Sequence, residues 1–510
     1  MKTSKLIFSA ALRRLALLLL AALCLSGQLQ AQNTGLLEQK TPSFGSFQGT
    51  GRAIDASGVY LAVGAPESSV GSLTNYGTVT IWTRNEIGVY TDPFVLGAPD
   101  AQSGDRFGFS VQFDGTTLAV GTRSTTDASR NAVYLFTRPA VLNTPWPLQA
   151  RLTPASAQDR NSFGYAISLS GNYLAVGAPF TISPQFGFGS VHIFRRVNGV
   201  WAFQQRLESN EINTAGFGFS VSLQGKVLAV GNPILSSARQ PAGNVSIYRR
   251  TGTLWAREKF IFGQTGTEFF GYSVSLHNNL LAVASGSNDG NFMTNPAKIN
   301  MYGYDGTDWI LQQSLIAAGS VAGPDFVGAF RSVAVSLQNT QMVLGAPEAA
   351  YLFTVDDNGI WSQSTRITPS DQTGNVEYGA SVVSLGNRIF VGAPTADGTG
   401  AVYSYTRQRR LVSTCVTLTT APTPSTQFQP VLLSVSVRDT ANNPANGLVQ
   451  LSVDDKPCGL VTLNGGNGSL NTQNLRCDLI TRTGSHTVKA AYSGSNLHAA
   501  STTTVTHITN

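Results

Sequence analysis

The sequence predicts an all-β fold in which seven repeated units form a β-propeller with four-stranded blades, followed by a smaller β-sandwich. Glycine supplies 52 of the 510 residues and only 12% are charged, which is typical of short strands joined by tight turns. Apolar and polar residues alternate with period two along most of the chain, whereas the helical i, i+3, i+4 pattern is scarce beyond the N-terminus. A short phrase also recurs seven times at a spacing near the length of a propeller blade.

The repeated phrase is Leu-Ala-Val-Gly, and a second feature recurs at a fixed distance before it. The copies end at Gly64, Gly121, Gly177, Gly231, Ala284, Gly345 and Gly392. Thirteen residues earlier stand Gly51, Gly108, Gly164, Gly218, Gly271, Ser332 and Gly379. The full period varies from 47 to 61 residues while this spacing does not. We therefore expect the fixed segment to be two paired strands and the variable remainder to contain loops.

Each unit is expected to contribute four strands. Around the fixed glycine, bulky residues such as Phe217 and Phe219 alternate with small ones such as Ser220, so one bulky and one small face are predicted for the first strand. The bulky face of one blade would then pack on the small face of the next. Leu-Ala-Val-Gly is the second strand, apolar enough to be buried on both sides. Third and fourth strands follow, separated by turns such as Asn198-Gly199.

The seventh unit lacks its fourth strand, because the pattern stops near Arg407. The segment Leu36–Pro42 resembles the fourth-strand segments Leu148–Pro154 and Gln363–Pro369. We expect it to pair with the seventh unit and close the ring, which removes exposed sheet edges. The predicted propeller therefore spans residues 36–407.

The N-terminal 31 residues are predicted to be a signal peptide. Four basic residues precede the apolar run Leu15–Leu25, and cleavage is expected between Ala31 and Gln32. The run is too short to span a bilayer as a helix. Its removal lowers the net charge from +6 to +2, so nucleic acid is not an expected partner. We expect a monomeric protein, secreted or at the cell surface, with no membrane span after processing.

The phased copies resemble the FG-GAP repeats known from the integrin α-subunit propeller. The resemblance rests on pairs such as Phe163-Gly164 with the triplet Gly177-Ala178-Pro179, and it covers about 370 residues. It implies a propeller that acts as a binding or adhesion module and not as an enzyme. Some copies depart from the pattern, with Thr50 for the first Phe and Arg331-Ser332 for the sixth Phe-Gly.

Many members of that family carry a calcium loop between the first two strands of a blade. Here that connection is a short turn, such as Asp114–Thr117, Ser170–Tyr173 or Gln224–Val227, with at most one carboxylate. Because calcium takes six to eight oxygen ligands, we expect no metal in these turns, and no cofactor.

A linker at residues 408–413 leads to a domain of different texture at residues 414–510. Alternating strands are predicted at Val431–Val437, Leu448–Val453, Gly459–Leu463 and His486–Ala491. The stretches 417–430 and 492–496 resemble bacterial immunoglobulin-like domains, which implies a spacer or surface-associated module.

Three cysteines remain in the mature chain: Cys415, Cys458 and Cys477. Export favours one disulfide and leaves one thiol over. We predict the pair Cys458–Cys477, which closes the shorter loop; the state of Cys415 stays open.

Motifs for catalysis are missing from the sequence. It has no Gly-x-Ser-x-Gly elbow, no His-Glu-x-x-His helix and no phosphate loop ending in Gly-Lys-Ser/Thr. The histidines lack metal-ligand spacing, and His192 is interpreted as a structural residue of a sheet without a visible partner. The first strands offer little beyond Asp55 as a carboxylate. We expect no catalytic and no metal-binding residues.

Ligand binding is predicted on one face of the propeller. The connections from strand two to strand three and from strand four to the next strand one emerge on the same side, and they are long and variable. We call this side the long-loop face, and its candidate residues are Phe186, Phe188, Arg239, Asp289 and Phe292. The favoured hypothesis is an extracellular protein ligand; the alternative is a carbohydrate-binding or carbohydrate-active propeller.

Overall fold

The computed structural model describes residues 36–41, 48–85, 89–141, 144–180, 189–209, 214–235, 243–263, 269–285, 297–320, 333–338, 340–346, 348–356, 358–371, 377–407, 413–472, 482–492 and 501–510. The chain divides into two compact units, Leu36–Arg407 and Gln408–Asn510. Within these ranges the helical elements are three short 3-10 segments at Ala128–Arg130, Ala157–Asn161 and Ala396–Gly398. The all-β prediction is confirmed.

In its described part, the larger unit consists of four-stranded antiparallel sheets, which we number 1 to 7 in chain order. The first strand of the chain, β1 (Leu36–Thr41), belongs to sheet 7. Sheet 1 contains β2 (Ala53–Ser57), β3 (Tyr60–Ala65), β4 (Thr78–Arg84) and β5 (Tyr90–Leu96). Sheet 2 contains β6 (Ser110–Phe113), β7 (Thr117–Gly121), β8 (Val133–Thr137) and β9 (Leu148–Leu152). Sheet 3 contains β10 (Ala166–Ser170), β11 (Tyr173–Ala178), β12 (Ser190–Val197) and β13 (Val200–Glu208).

The remaining sheets repeat this order. The region of sheet 4 contains β14 (Thr214–Ala215), β15 (Ser220–Gln224), β16 (Val227–Asn232), β17 (Ile234–Leu235), β18 (Asn244–Thr251) and β19 (Leu254–Phe262), with β14 and β17 paired only with each other. Sheet 5 contains β20 (Ser273–His277), β21 (Leu280–Ser285), β22 (Lys298–Tyr304) and β23 (Trp309–Ile316). Sheet 6 contains β24 (Ala334–Leu337), β25 (Gln341–Ala346), β26 (Ala349–Val355) and β27 (Trp361–Ile367). Sheet 7 contains β28 (Ser381–Leu385), β29 (Arg388–Ala393), β30 (Ala401–Arg407) and β1.

The first strands of successive sheets pack side by side in a closed cycle. β2 contacts β6, and the series continues through β10, β15, β20, β24 and β28, which returns to β2. At the outer end of the last sheet, β1 pairs antiparallel with β30, from Leu36 opposite Arg407 to Thr41 opposite Val402. The two ends of the larger unit are therefore joined within one sheet.

The fixed spacing of thirteen residues has a backbone cause. The N–H of Gly108 donates to the carbonyl of Gly121 at 3.1 Å, and the same bond joins Gly218 to Gly231 at 3.2 Å. Gly108 and Gly218 have φ near +90°, a conformation that side chains disfavour. The carbonyl of Gly271 in sheet 5 also lies against the Cα of Gly231 in sheet 4, where a Cβ would collide with it. Close contact between neighbouring sheets therefore favours glycine both where the thirteen-residue spacing begins and where it ends.

The second strands are buried along their length, as predicted; β3, β11, β25 and β29 have no residue that is more than slightly exposed. The phenylalanine before the fixed glycine is fully buried in four sheets, at Phe107, Phe163, Phe217 and Phe270. Full burial of such a side chain stabilises a fold by about 1.5–3 kcal/mol. The hydrophobic core therefore lies between the sheets, repeated around the cycle.

One sequence prediction about the first strand is wrong. Phe217 and Phe219 were expected on one strand face, but β15 begins only at Ser220. The positive φ of Gly218 turns the chain between the two rings. Phe217 packs with Val191 and Ile193 in the core, whereas Phe219 points to a separate aromatic group described below.

The C-terminal unit contains two antiparallel sheets that share one core. One sheet has the order β31 (Thr414–Ala421), β32 (Leu432–Asp439) and β35 (Asn467–Asn471). The other has the order β34 (Lys456–Leu463), β33 (Gly447–Val453), β36 (Gly484–Tyr492) and β37 (Ser501–Thr509). Val435 from the first sheet and Val449 and Val488 from the second belong to the same buried cluster. The four predicted strands occur within about three residues of their expected ends.

Three strands of this unit were not predicted: β31, β35 and β37. They are rich in threonine, asparagine and glycine, so their hydrophobic alternation is weak. Cys458 packs at the edge of the shared core and Cys415 is exposed, but Cys477 lies outside the described residues, so the Cys458–Cys477 disulfide stays a prediction. In the part of the chain that the structure describes, no helix is long and apolar enough to cross a membrane.

Candidate functional site

A group of aromatic rings lies where the first strands of sheets 2 to 5 begin. The residue that follows the fixed glycine is Phe109, Tyr165, Phe219 or Tyr272 in these sheets. Their ring centroids are 5.3 Å, 5.0 Å and 4.8 Å apart in that order, and the planes are tilted by 47° to 56°. We call these four residues the aromatic arc. Each ring belongs to a different sheet, so the arc runs around part of the cycle of first strands.

The position of the arc follows from the strand order. A first strand starts where the loop from the preceding fourth strand arrives, and a second strand ends beside it. The arc therefore lies on the long-loop face, at the centre of the ring of sheets. Tyr165 and Tyr272 are partly exposed, while Phe109 and Phe219 are nearly buried. Phe180, from the loop after β11, contacts both Tyr165 and Phe219 edge to face at 5.6 Å and 6.4 Å.

Two arginines cover one end of the arc. The Arg123 guanidinium lies over Phe109 at 5.0 Å and over Tyr165 at 5.4 Å from the ring centroids. Arg52, from sheet 1, lies over Phe109 at 5.7 Å. Such contacts favour a cation because the ring faces are negative. The arc is thus already covered by cations of the same chain at this end.

Charged side chains of both signs lie around these two arginines. Arg52 reaches Glu377 at 3.8 Å, and both side chains are about one-third exposed. Burial raises the pKa of Glu67, and the nearby Arg106 and Arg52 oppose this shift. Burial lowers the pKa of Arg123, and the repulsion from Arg106 and Arg52 adds to the effect. Arg52, Arg106, Arg123, Glu67 and Glu377 therefore lie in one region. We call these five residues and the aromatic arc the central site.

Within the described residues, Arg123 makes no ion pair, and the Nε of Arg106 is buried without a hydrogen-bond partner. Guanidinium groups are planar donors that bind carboxylates in a two-point geometry. The arrangement combines positive donors with an apolar aromatic surface. It can bind a group, but it offers no nucleophile with a base beside it.

The carboxylate expected on the first strands has a structural partner. Asp55 of β2 accepts hydrogen bonds from the backbone N–H of Phe113 at 2.6 Å and of Ala56 at 2.9 Å, and from the side chain of Gln112. Burial raises the pKa of Asp55 to about 6 despite these bonds. Asp55 therefore links sheets 1 and 2, and its oxygens are engaged by the protein.

His192 has a partner, contrary to the sequence interpretation. Its Nε2 lies 3.3 Å from Oδ2 of Asp159 and 3.2 Å from Oγ of Ser190, and all three residues are buried. Arg206 adds two donors to the same carboxylate, each at 2.8 Å. Burial alone would raise the pKa of Asp159, but the bonds from His192, Arg206 and Ser190 hold it well below its ordinary value. The partner was missed because Asp159 is on the loop before β10, far from His192 in sequence.

The serine, histidine and aspartate of this cluster do not form a catalytic relay. In a relay, one ring nitrogen contacts the serine and the other contacts the aspartate. Here Nε2 faces both, and the buried Nδ1 has no hydrogen-bond partner in the described part of the chain. The cluster instead ties the incoming loop to strands β12 and β13.

Similar ties occur in two other sheets. In sheet 2, Tyr134 donates to Asp100 at 2.6 Å and Arg151 lies 3.3 Å from the same carboxylate. In sheet 7, Tyr403 donates to Asp371 at 2.8 Å and Lys40 at 2.6 Å. Each aspartate lies on the loop that enters its sheet, and the two partners are paired across strands three and four. The repetition supports a structural role for the His192 cluster.

The five ligand residues predicted from sequence cannot be placed. Phe186, Phe188, Arg239, Asp289 and Phe292 lie outside the described residues, so they stay predictions. The central site was missed, although its signal was present: the residue after the fixed glycine is aromatic in four consecutive units. The sequence pattern instead predicts these rings on one face of the first strand.

The Asp114–Thr117 turn, discussed above as a possible calcium loop, uses its own carboxylate internally. Oδ1 of Asp114 accepts hydrogen bonds from the backbone N–H groups of Thr116 and Thr117 and from the Thr116 hydroxyl, all at 2.8 Å. Its carboxylate serves as the acceptor of its own turn. Across the described ranges, no group of three or more histidine, cysteine, aspartate or glutamate residues is arranged to hold a metal ion.

Comparison with known families identifies both units. The FG-GAP repeat model matches residues 94–136, 146–194 and 361–405. Three segments of the larger unit thus match FG-GAP repeats, and each match runs from the fourth strand of one sheet through three strands of the next. The model of the bacterial Ig-like domain (group 3) matches residues 418–509. The chain is an FG-GAP repeat protein that carries a bacterial Ig-like domain at its C-terminal end.

Two solved structures match the chain at low similarity. The crystal structure of Kluyvelomyces marxianus Hsv2 aligns with a TM-score of 0.40 at 9% identity, covering 77% of this chain and 95% of that one. Kluyveromyces lactis Hsv2 aligns with a TM-score of 0.35 at 10% identity, covering 63% and 99%. No curated protein matches the chain by sequence.

Proposed function

We propose that the protein is a secreted or surface-exposed binding module of the adhesion type. Its larger unit is proposed to be a seven-bladed β-propeller. This propeller binds a protein ligand at the central site of its long-loop face. The C-terminal domain acts as a spacer. FG-GAP repeats and a bacterial Ig-like domain together favour an extracellular or surface location. The protein is proposed not to be an enzyme.

The propeller assignment is supported by the cycle of first strands and by the pairing of β1 with β30. A closed ring has no free inner edge, so its centre is rigid. Rigid scaffolds that carry variable loops are suited to recognition.

The observation that carries the proposed binding role is the aromatic arc. Tyr165 and Tyr272 remain partly exposed although they lie against other rings, and Arg123 and Arg52 lie at the same place. Tyrosine and arginine are the residue types that most often dominate the energy of protein interfaces. A structural role alone does not require cations beside these rings.

The binding role can be tested with the full chain on a sensor surface, using purified fibronectin, laminin and collagen and, separately, a glycan array. We expect saturable binding of a protein probe. Replacing Tyr165→Ala and Tyr272→Ala together should weaken it at least tenfold, because large rings leave the contact surface.

The matched control is Phe203→Ala on the outer strand β13, where the ring is exposed at 45%. This variant should bind as the parent does. Unfolding of every variant is followed by tryptophan fluorescence, since all six tryptophans lie in the larger unit and are buried. Binding that survives loss of both tyrosines would overturn the site, and hits confined to the glycan array would favour the carbohydrate alternative.

A further inference from the structure

Among the described residues, the central site carries more positive than negative charge. Arg52 has Glu377 at 3.8 Å, and Glu67 lies in the field of Arg52 and Arg106. In the described part of the site, three arginines face two glutamates, which is an excess of one positive charge. Arg123 has no carboxylate within ion-pair distance in the described residues, and its contacts there are the faces of Phe109 and Tyr165.

The faces of two rings hold the Arg123 guanidinium, but they do not satisfy its donors. Ring contacts act on the flat face of a guanidinium, whereas its N–H groups point outward in its plane. The side chain is partly exposed, so those donors can be reached from solvent. Arg106 contributes a buried Nε that has no partner in the described ranges. Arg106 also lies close enough to Arg123 for its charge to lower the pKa of Arg123.

We propose that the central site binds the carboxylate of an aspartate or glutamate side chain of a protein ligand, with Arg123 as the main donor and the aromatic arc as the apolar surface beneath it. This inference rests on the proposed function, because it names the chemistry recognised by that same site. Arg52 and Arg106 add positive charge around the carboxylate, and Glu67 and Glu377 limit the number of acidic groups that can enter.

The charge balance favours a single acidic side chain over a polyanion. A polyuronate carries a carboxylate on every sugar, and its second and third charges would meet Glu67 and Glu377. The rings of the arc are also tilted against each other, with centroids about 5 Å apart, so no wide flat ring face is free for a sugar to stack on. A peptide can present one carboxylate beside an apolar neighbour without these conflicts.

The site is not suited to receive a cation from a partner. Two guanidinium groups already lie over Phe109. A third cation would approach within a few ångströms of them, which is unfavourable in a partly buried place. Charge complementarity therefore gives the partner a negative sign.

The test uses random 12-residue peptides displayed on phage and selected on the immobilised full chain. We expect the enriched peptides to share one aspartate or glutamate next to an apolar residue. Synthetic copies in which that acid is changed to its amide should bind at least tenfold more weakly. Arg123→Gln should cause a similar loss, whereas Arg123→Lys should restore only part of the affinity, because lysine cannot make the two-point contact.

The matched control is Arg160→Gln, which removes an exposed arginine from another loop of the same face. It should leave peptide affinity unchanged, and tryptophan fluorescence should show that both variants unfold as the parent does. Oligogalacturonate serves as the glycan probe. Binding of oligogalacturonate that depends on Arg123, with no acidic peptide enriched, would overturn the assignment to a protein ligand.

The two proposals fail in different ways. Suppose that the selected peptides lose affinity for the Tyr165→Ala and Tyr272→Ala double variant, but that neither Arg123→Gln nor the acid-to-amide change weakens their binding. The proposed function then stands, and the carboxylate inference is overturned. If no selected peptide depends on the arc, both fall. Enrichment of acidic peptides that require Arg123 supports both.

Discussion

Asp55 of β2 accepts a hydrogen bond from the backbone N–H of Phe113 of β6 at 2.6 Å, across the junction between sheets 1 and 2. Four other junctions have the same bond with a serine as acceptor: Ser168 to Leu223, Ser222 to Leu276, Ser275 to Leu337 and Ser336 to Ser384, at 2.9 to 3.0 Å. Each acceptor lies opposite the second residue of the Leu-Ala-Val-Gly strand or its looser copy. At these five junctions the first strands are therefore joined by side-chain hydrogen bonds.

The carboxylate of Asp55 also accepts a hydrogen bond from a donor of its own strand. In sheet 7 the equivalent position is Val383, which has no acceptor. By the pattern of the other junctions, an acceptor at position 383 would bind the backbone N–H of Ala56. That N–H donates to Oδ1 of Asp55 at 2.9 Å instead. One carboxylate with two oxygens thus accepts from both N–H groups, and its bond to Ala56 lies within β2.

We predict that Asp55→Ser changes the pH dependence of stability. The pKa of Asp55 is raised from 3.8 to about 6 by burial, so the folded state binds a proton more tightly than the unfolded chain. Stability should therefore fall as the pH rises from about 4 to about 6, by on the order of 2–3 kcal/mol from this group. Asp55→Ser should remove most of that fall, leaving a smaller one from Glu67, whose pKa is raised as well.

The measurement is urea unfolding at pH 4, 5, 6 and 7, followed by tryptophan fluorescence. An equal fall in parent and variant would show that Asp55 does not titrate in this range. The loss of the Ala56 acceptor in the variant affects stability at all four pH values and so does not imitate the slope.

The residues that could be predicted from sequence are those fixed by the backbone. The glycine pair separated by thirteen residues leaves a clear imprint, because a side chain is disfavoured at the positive φ of Gly108 and a Cβ at Gly231 would collide with the neighbouring sheet. Side-chain sites left weaker signals. Asp159 and His192 meet only after folding, and the arc was hidden because the positive φ of Gly218 breaks the strand alternation that we assumed.

The buried cluster around Asp159 should contribute strongly at neutral pH. Removing one partner of a buried ion pair costs about 3–5 kcal/mol, and since Arg206 is partly exposed we expect about 2–3 kcal/mol for Asp159→Asn. The pKa of Asp159 lies well below its ordinary 3.8, so this contribution is present above about pH 4 and is lost as the pH falls further.

The control for that prediction is Asp127→Asn. Asp127 is an exposed N-cap of the Ala128–Arg130 segment, and asparagine caps about as well as aspartate, so this variant should be about as stable as the parent. Both variants are compared by urea unfolding at pH 7 and pH 3. A loss for Asp159→Asn that is the same at both pH values would argue against the ionised cluster.

The close contact between sheets 4 and 5 can be tested by adding one methyl group at Gly231. A Cβ on Gly231 would overlap the carbonyl oxygen of Gly271 and the hydroxyl of Ser220. Since backbone must then shift, Gly231→Ala should destabilise the larger unit by at least about 1–3 kcal/mol. Gly97→Ala, where the nearest atom is 3.7 Å away, should change stability by less than about 1 kcal/mol. Midpoints of urea unfolding that shift equally in both variants would contradict the tight contact.

Removal of β1 should destabilise the larger unit, because β1 pairs with β30 and closes the ring of sheets. A chain that begins at residue 48 lacks the strand that pairs with β30 from Leu36 opposite Arg407 to Thr41 opposite Val402. It also lacks Lys40, whose Nζ lies 2.6 Å from both Asp371 and Asp397. The truncated protein should unfold at lower urea concentration and associate through the exposed edge of β30, as light scattering would show. A synthetic peptide of residues 33–45 should restore the parent midpoint, because it supplies the same pairing in trans, while a scrambled peptide of equal composition should not. If the truncated chain stays monomeric and unfolds as the parent does, β1 is not needed to close the sheet.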